Sequence, residues 1–200
     1  MSWKFGRRHW IIVSVVSAGI AAVAMLGAIV IYAGAYNIAA DSPHTSAVFW
    51  LLQTTRNRSI EVRSGDVGQQ PDLTDPKRIA AGAGLYSEMC SQCHLAPGME
   101  RTEISQGLYP RAPQLSGGSD LSPQQKFWVI KHGIKMTGMP AWGVTHNDTL
   151  IWDMVAFIQK LPTLDAAQYQ AIVKSAPEDH DEMMRDMPGM KSSGDNGDHH

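Results

Sequence analysis

Hydrophobic and polar positions divide this chain into four stretches. From Trp10 to Tyr36 no charged side chain occurs, and the run IIVSVVSAGIAAVAMLGAIVIYAGA is apolar or small on every face. Such a run predicts a helix without a polar side, and about 25 residues at ~1.5 Å rise span roughly 37 Å, enough to cross a hydrocarbon core. Residues 46–61, SAVFWLLQTTRNRSIE, read as a short amphipathic helix with Phe49, Trp50, Leu52 and Ile60 apolar and Arg56 and Arg58 basic. Its expected place is against the following domain or at a bilayer surface, with partner docking as the sharper alternative. The stretch SGDVGQQPDLTDP then reads as loop.

Helix starts come next in clear order. Asp75–Pro76 is an N-cap with proline at the first helical position, and its helix should run through Ile79, Leu85 and Tyr86 to about Ser91. Ser122–Pro123–Gln124–Gln125 is a capping box opening a helix through Phe127, Trp128 and Ile130 that stops at Gly133. A third helix begins near Asn147, carries Leu150, Ile151, Met154, Val155, Phe157 and Ile158 on its apolar side, and ends at Pro162. A last one is expected over about 164–174. No stretch alternates as a strand, so the expectation is an all-α domain over 75–175. It is preceded by a flank and anchor (1–36) and a linker (37–74), and followed by a tail (176–200).

Charge orients the anchor. Lys4, Arg7 and Arg8 precede the apolar run with no acid near them. The positive-inside rule therefore keeps this flank cytoplasmic and puts the rest of the chain on the far side, the periplasmic side of a bacterial inner membrane. A cleavable signal peptide has an apolar stretch of only about 7–15 residues, so a retained single-pass anchor is expected, with cleavage near Ala40 as the alternative. Trp10, Tyr32 and Tyr36 stand where interface anchors belong. The formal net charge of −2 gives no basic surface for nucleic acid.

The chemistry is concentrated at Cys90, Ser91, Gln92, Cys93 and His94, a C-x-x-C-H haem attachment signature. Two thiols three positions apart at a helix end can each add to one vinyl group of a single porphyrin, with the adjacent histidine held beneath the iron. Three other readings compete. A thioredoxin-like pair wants a strand–helix setting, which is missing. Zinc wants two further ligands at ordered spacing. A disulfide across three residues would be strained and would constrain little chain. The chain has only 2 cysteines, too few for a disulfide framework.

With GIKMTGMPAWG at residues 133–143 added, residues 75–165 resemble the class I monohaem cytochromes c: C-S-Q-C-H, the Gly-Met-Pro-Ala-Trp loop and both flanking helices come in order. The resemblance implies one covalent haem c on Cys90 and Cys93, His94 as proximal iron ligand and Met139 as distal ligand, with Met136 as rival. It also implies that Gly82 and Tyr86 cross a late helix near Met154 and Phe157. One of Pro97, Pro110 and Pro113 should supply the carbonyl that receives the second N–H of His94. Trp142 and Tyr109 are candidates for the haem propionates or for core packing. His–Met ligation leaves no open iron position, so the expected function is an electron carrier or cytochrome subunit, not an enzyme. Its partners would be unidentified respiratory, dehydrogenase or oxidase proteins. Lys126, Lys131, Lys135, Arg101 and Arg111 are candidates for steering an acidic partner.

The tail is acidic and its only large apolar residues are methionines, which predicts no folded structure. Met183, Met184, Met187 and Met190 with His180, His199 and His200 make a candidate copper site, because thioethers suit Cu(I) and imidazoles Cu(II). The alternatives to electron transport are therefore a copper-handling redox protein and a haem peroxidase.

Overall fold

The structure is a computed structural model, and it describes residues 6–177. The copper candidates His180, Met183, Met184, Met187, Met190, His199 and His200 lie outside the described residues. Among the described residues there are helices and turns and no strand.

The chain divides into two compact units, residues 1–42 and 43–200. The first contains α1 (Arg7–Tyr32), 26 residues with none buried. It is long and apolar enough to cross a membrane, and so is compatible with a single-pass anchor.

In the second unit α2 (Ser46–Arg63) comes first. Of its apolar residues only Ile60 is buried, whereas Phe49, Trp50 and Leu52 are exposed, Trp50 at 65%. The apolar start of α2 is thus not packed into the domain. Its later part packs on α6, which places this stretch in the same unit as the helices after it.

α3 (Pro76–Leu85) opens with the Asp75 side chain accepting the Lys77 N–H at 2.9 Å and Pro76 at the first position. A π-helical turn, Tyr86–Cys90, carries the chain into α4 (Ser91–His94). α5 (Glu103–Gly107) is a short helix capped by Thr102. α6 (Pro123–His132) has the complete Ser122/Gln125 capping box, α7 spans Asp148–Lys160 behind Asn147, and α8 (Ala166–Lys174) has a second box from Asp165 and Gln168.

The core is built where α3 crosses α7. Gly82 makes the crossing possible: a Cβ there would overlap the backbone carbonyl of Asp153 and lie 2.9 Å from the Phe157 Cβ. Tyr86, one turn on, packs its ring against Phe157 at 5.3 Å and 54°. Ile151, Met154, Val155 and Phe157 of α7 are fully buried, and each contributes about 1.5–3 kcal/mol of apolar burial. The residues that meet Gly82 are Asp153 and Phe157; Met154 sits one position round the helix, in the core.

Asp153 is the costly member of this contact. Burial pushes its carboxyl up to about 6, against the pull of the Arg78 guanidinium bonded to its Oδ1. Arg78 bridges α3 to α7 through that bond, with its own Nε buried and unpartnered.

Candidate haem site

The chain leaves α4 at His94 through a fixed turn. Leu95 adopts φ +59°, and the buried Tyr86 hydroxyl donates to the Leu95 carbonyl at 2.5 Å. Tyr86 at the start of the π turn packs on α7, while Cys90 at its end lines a cavity of about 760 Å³ together with Cys93 and His94 of α4. A π turn holds more residues per turn than an α-helix and so rotates the side chains beyond it to a new facing; such turns recur at functional sites.

Cys90 and Cys93 are free thiols. Cys90 is buried, and burial pushes its thiol up to about 12, so it is protonated at neutral pH. No group of three or more His, Cys, Asp or Glu side chains among the described residues is placed to hold a metal ion.

His94 is oriented by a backbone group. Its Nδ1 lies 2.8 Å from the Pro113 carbonyl oxygen. A carbonyl can only accept, so Nδ1 carries the proton and Nε2 keeps its lone pair. Burial holds the imidazole below its ordinary pKa, with the Pro113 bond opposing that shift, which favours the neutral, ligating form. Of the three candidate prolines, Pro113 supplies the carbonyl. Pro110 only lines the cavity, following Tyr109 through a cis peptide bond.

Met139 lines the same cavity from another loop. Gly133 ends α6 at φ +64°, and a Cβ there would lie 2.7 Å from the Met139 carbonyl oxygen and 2.7 Å from the Pro140 carbonyl carbon. Only glycine permits that turn with that approach. Within the loop the Ile134 N–H donates to the Met139 carbonyl at 3.2 Å, and the Met139 N–H donates to the Thr137 hydroxyl at 3.1 Å. Thr137 in turn donates to the Ile134 carbonyl at 2.8 Å. Met136 is 82% exposed at φ +59° and is not among the residues lining the cavity.

Trp142 also lines the cavity, edge-on to His146 at 5.6 Å. Tyr109 does not line it: its hydroxyl accepts the His44 N–H at 2.9 Å, tying the segment before α2 to the loop after α5. The expected basic surface is smaller than five residues. Lys126 is 7% exposed, and its Nζ donates to Gln159 Oε1 at 2.7 Å, while Lys131 pairs with Asp148 at 2.6 Å. Arg101, Arg111 and Lys135 are exposed.

The residues present fit a haem. The cavity falls within the usual size range for cofactor sites, its lining is mainly apolar, and it gathers two thiols, an imidazole with a free Nε2 and a thioether. Its position agrees with relatedness. Residues 77–158 match the family described as cytochrome C oxidase, cbb3-type, subunit III. No curated protein and no solved structure matches the chain at a significant level. Such a domain has haem c as its cofactor, works with redox partners and fits an electron carrier or an oxidase subunit. Helices without strands among the described residues, the α3–α7 crossing and this family match together make the conclusion plain: residues 77–158 form a class I c-type cytochrome domain.

Proposed function

We propose that the chain is a membrane-anchored cytochrome c that passes single electrons between protein partners, with its haem domain on the periplasmic side of the inner membrane. The observation that carries this reading is the gathering of Cys90, Cys93, His94 and Met139 on one cavity, with the His94 tautomer set by Pro113.

Each residue has a defined part. Cys90 and Cys93 would hold a haem through thioethers, each S–H adding across one vinyl group so that no oxidant is needed. His94 offers Nε2 to the iron, and its Nδ1–H bond to Pro113 holds the ring and raises its basicity. Met139 offers a soft sulfur from a loop tied by Gly133, Thr137 and Pro140, favouring the reduced state. The bound haem supplies a one-electron Fe(III)/Fe(II) couple. The protein's contribution would be two positioned ligands and a mainly apolar cavity wall. Arg101, Arg111 and Lys135 provide exposed positive charge for an acidic partner. The helix Arg7–Tyr32 keeps the domain near membrane complexes and raises its effective concentration there.

A redox titration of the full-length protein in detergent tests the carrier reading. One reversible one-electron transition and no turnover of peroxide are expected. A water-bound ferric spectrum with rapid peroxide turnover would instead make the protein a haem enzyme.

A further inference from the structure

One wall of the cavity comes from α2, outside the matched residues 77–158. Arg56, Asn57, Ile60 and Glu61 line it, and α2 is held there by packing on α6. A haem joined through its vinyl groups carries two propionates on the other edge of the macrocycle. Carboxylates in a mainly apolar cavity need cationic or hydrogen-bonding partners.

Three cations line the cavity: Arg56, Arg111 and Lys126. Lys126 is already engaged by Gln159, and burial lowers its ammonium pKa. Arg111 is two residues from Pro113, whose carbonyl holds the His94 ring, so it belongs to the proximal loop. Arg56 is different. It stands on a helix, and Asn57 Oδ1 accepts from its Nε at 3.2 Å and its Nη2 at 3.1 Å. That contact fixes the guanidinium plane and leaves Nη1 for another acceptor. Two acids share the lining: Glu61 is taken by Arg58 at 2.6 Å, and Asp120 stands in the loop before α6.

We propose that Arg56, oriented by Asn57, receives a haem propionate, which makes α2 a working wall of the redox site. The inference rests on the haem reading of the cavity. Arg56 is a positioning and charge-compensating residue, and its loss should act through propionate ionisation. Without the guanidinium, a propionate should ionise at a pH about one unit higher or more, and its uncompensated charge should then stabilise Fe(III).

The test is the midpoint potential of the haem-loaded full-length protein from pH 5 to 9. Wild type is compared with Arg56→Ala, Arg56→Lys and the control Arg58→Ala. In Arg56→Ala the neutral-pH potential should be lower, and the pH-dependent region should move upward by about one pH unit. Arg56→Lys should recover part of both effects, and Arg58→Ala should behave as wild type. Haem-loaded Arg56→Ala that follows wild type at every pH overturns the proposal. A wild-type chain without covalent haem would overturn the haem reading itself, and the intact mass of each sample separates the two failures.

Discussion

Replacing Met139 with alanine is expected to lower the midpoint potential of the haem-loaded protein by on the order of 0.1–0.3 V, within the ~0.8 V range that axial ligands span. Met139 lines the cavity, and its loop is held by hydrogen bonds that do not involve its side chain. Truncation should therefore remove the thioether and leave the loop in place. Water would enter the freed position, and a harder oxygen ligand favours Fe(III) over Fe(II). The visible spectrum should lose its methionine–iron charge-transfer band at the same time. Met136→Ala is the matched control, since Met136 is exposed and off the cavity. Its potential and spectrum should stay those of wild type. The reverse pattern, with the band lost only in Met136→Ala, would move the ligand to Met136.

Gly82→Ala should be strongly destabilising. The added methyl would overlap the Asp153 carbonyl and press on Phe157, both on a buried helix that cannot retreat without opening the core. Overpacking a core usually costs about 1–3 kcal/mol and occasionally more; a clash with backbone belongs at the upper end, about 3 kcal/mol. Gly65→Ala is the comparison, because nothing lies within 4 Å of a Cβ there. It should be neutral or slightly stabilising, by up to about 1 kcal/mol, through the unfolded chain. Thermal unfolding of the haem-loaded proteins, followed by circular dichroism, measures both. Equal melting temperatures for Gly82→Ala and wild type would mean that the two helices do not meet at Gly82.

Much of this architecture was legible because its signals are local. Asp75–Pro76, the Ser122/Gln125 box and Asn147 each place a helix start where it is found, since capping is settled by two or three neighbouring residues. The π turn at Tyr86–Cys90 was not legible, because helical periodicity continues through it and one shifted turn leaves little trace. Nor could sequence choose among Pro97, Pro110 and Pro113. That choice depends on how the loop from Leu95 to Leu121 folds back over His94, a matter of long-range contact.

Lys126 carried a readable warning. It stands four residues before buried Ile130, on the same helix face, and a lysine in that place covers the core with its stem and must find a partner for its head. The α2 wall was harder to foresee. Phe49, Trp50, Leu52 and Ile60 were all offered for packing, of which Ile60 alone is buried, and the polar pair Arg56 and Asn57 lines the cavity. Composition alone does not separate an arginine facing solvent from one facing a cofactor.

The most direct test is the intact mass of the full-length protein after denaturation, matured in a host able to attach haem. A chain heavier by one iron porphyrin is expected, the added mass retained through denaturation and lost when Cys90 and Cys93 are both replaced by serine. A colourless wild-type chain at the mass of the unmodified polypeptide would contradict it.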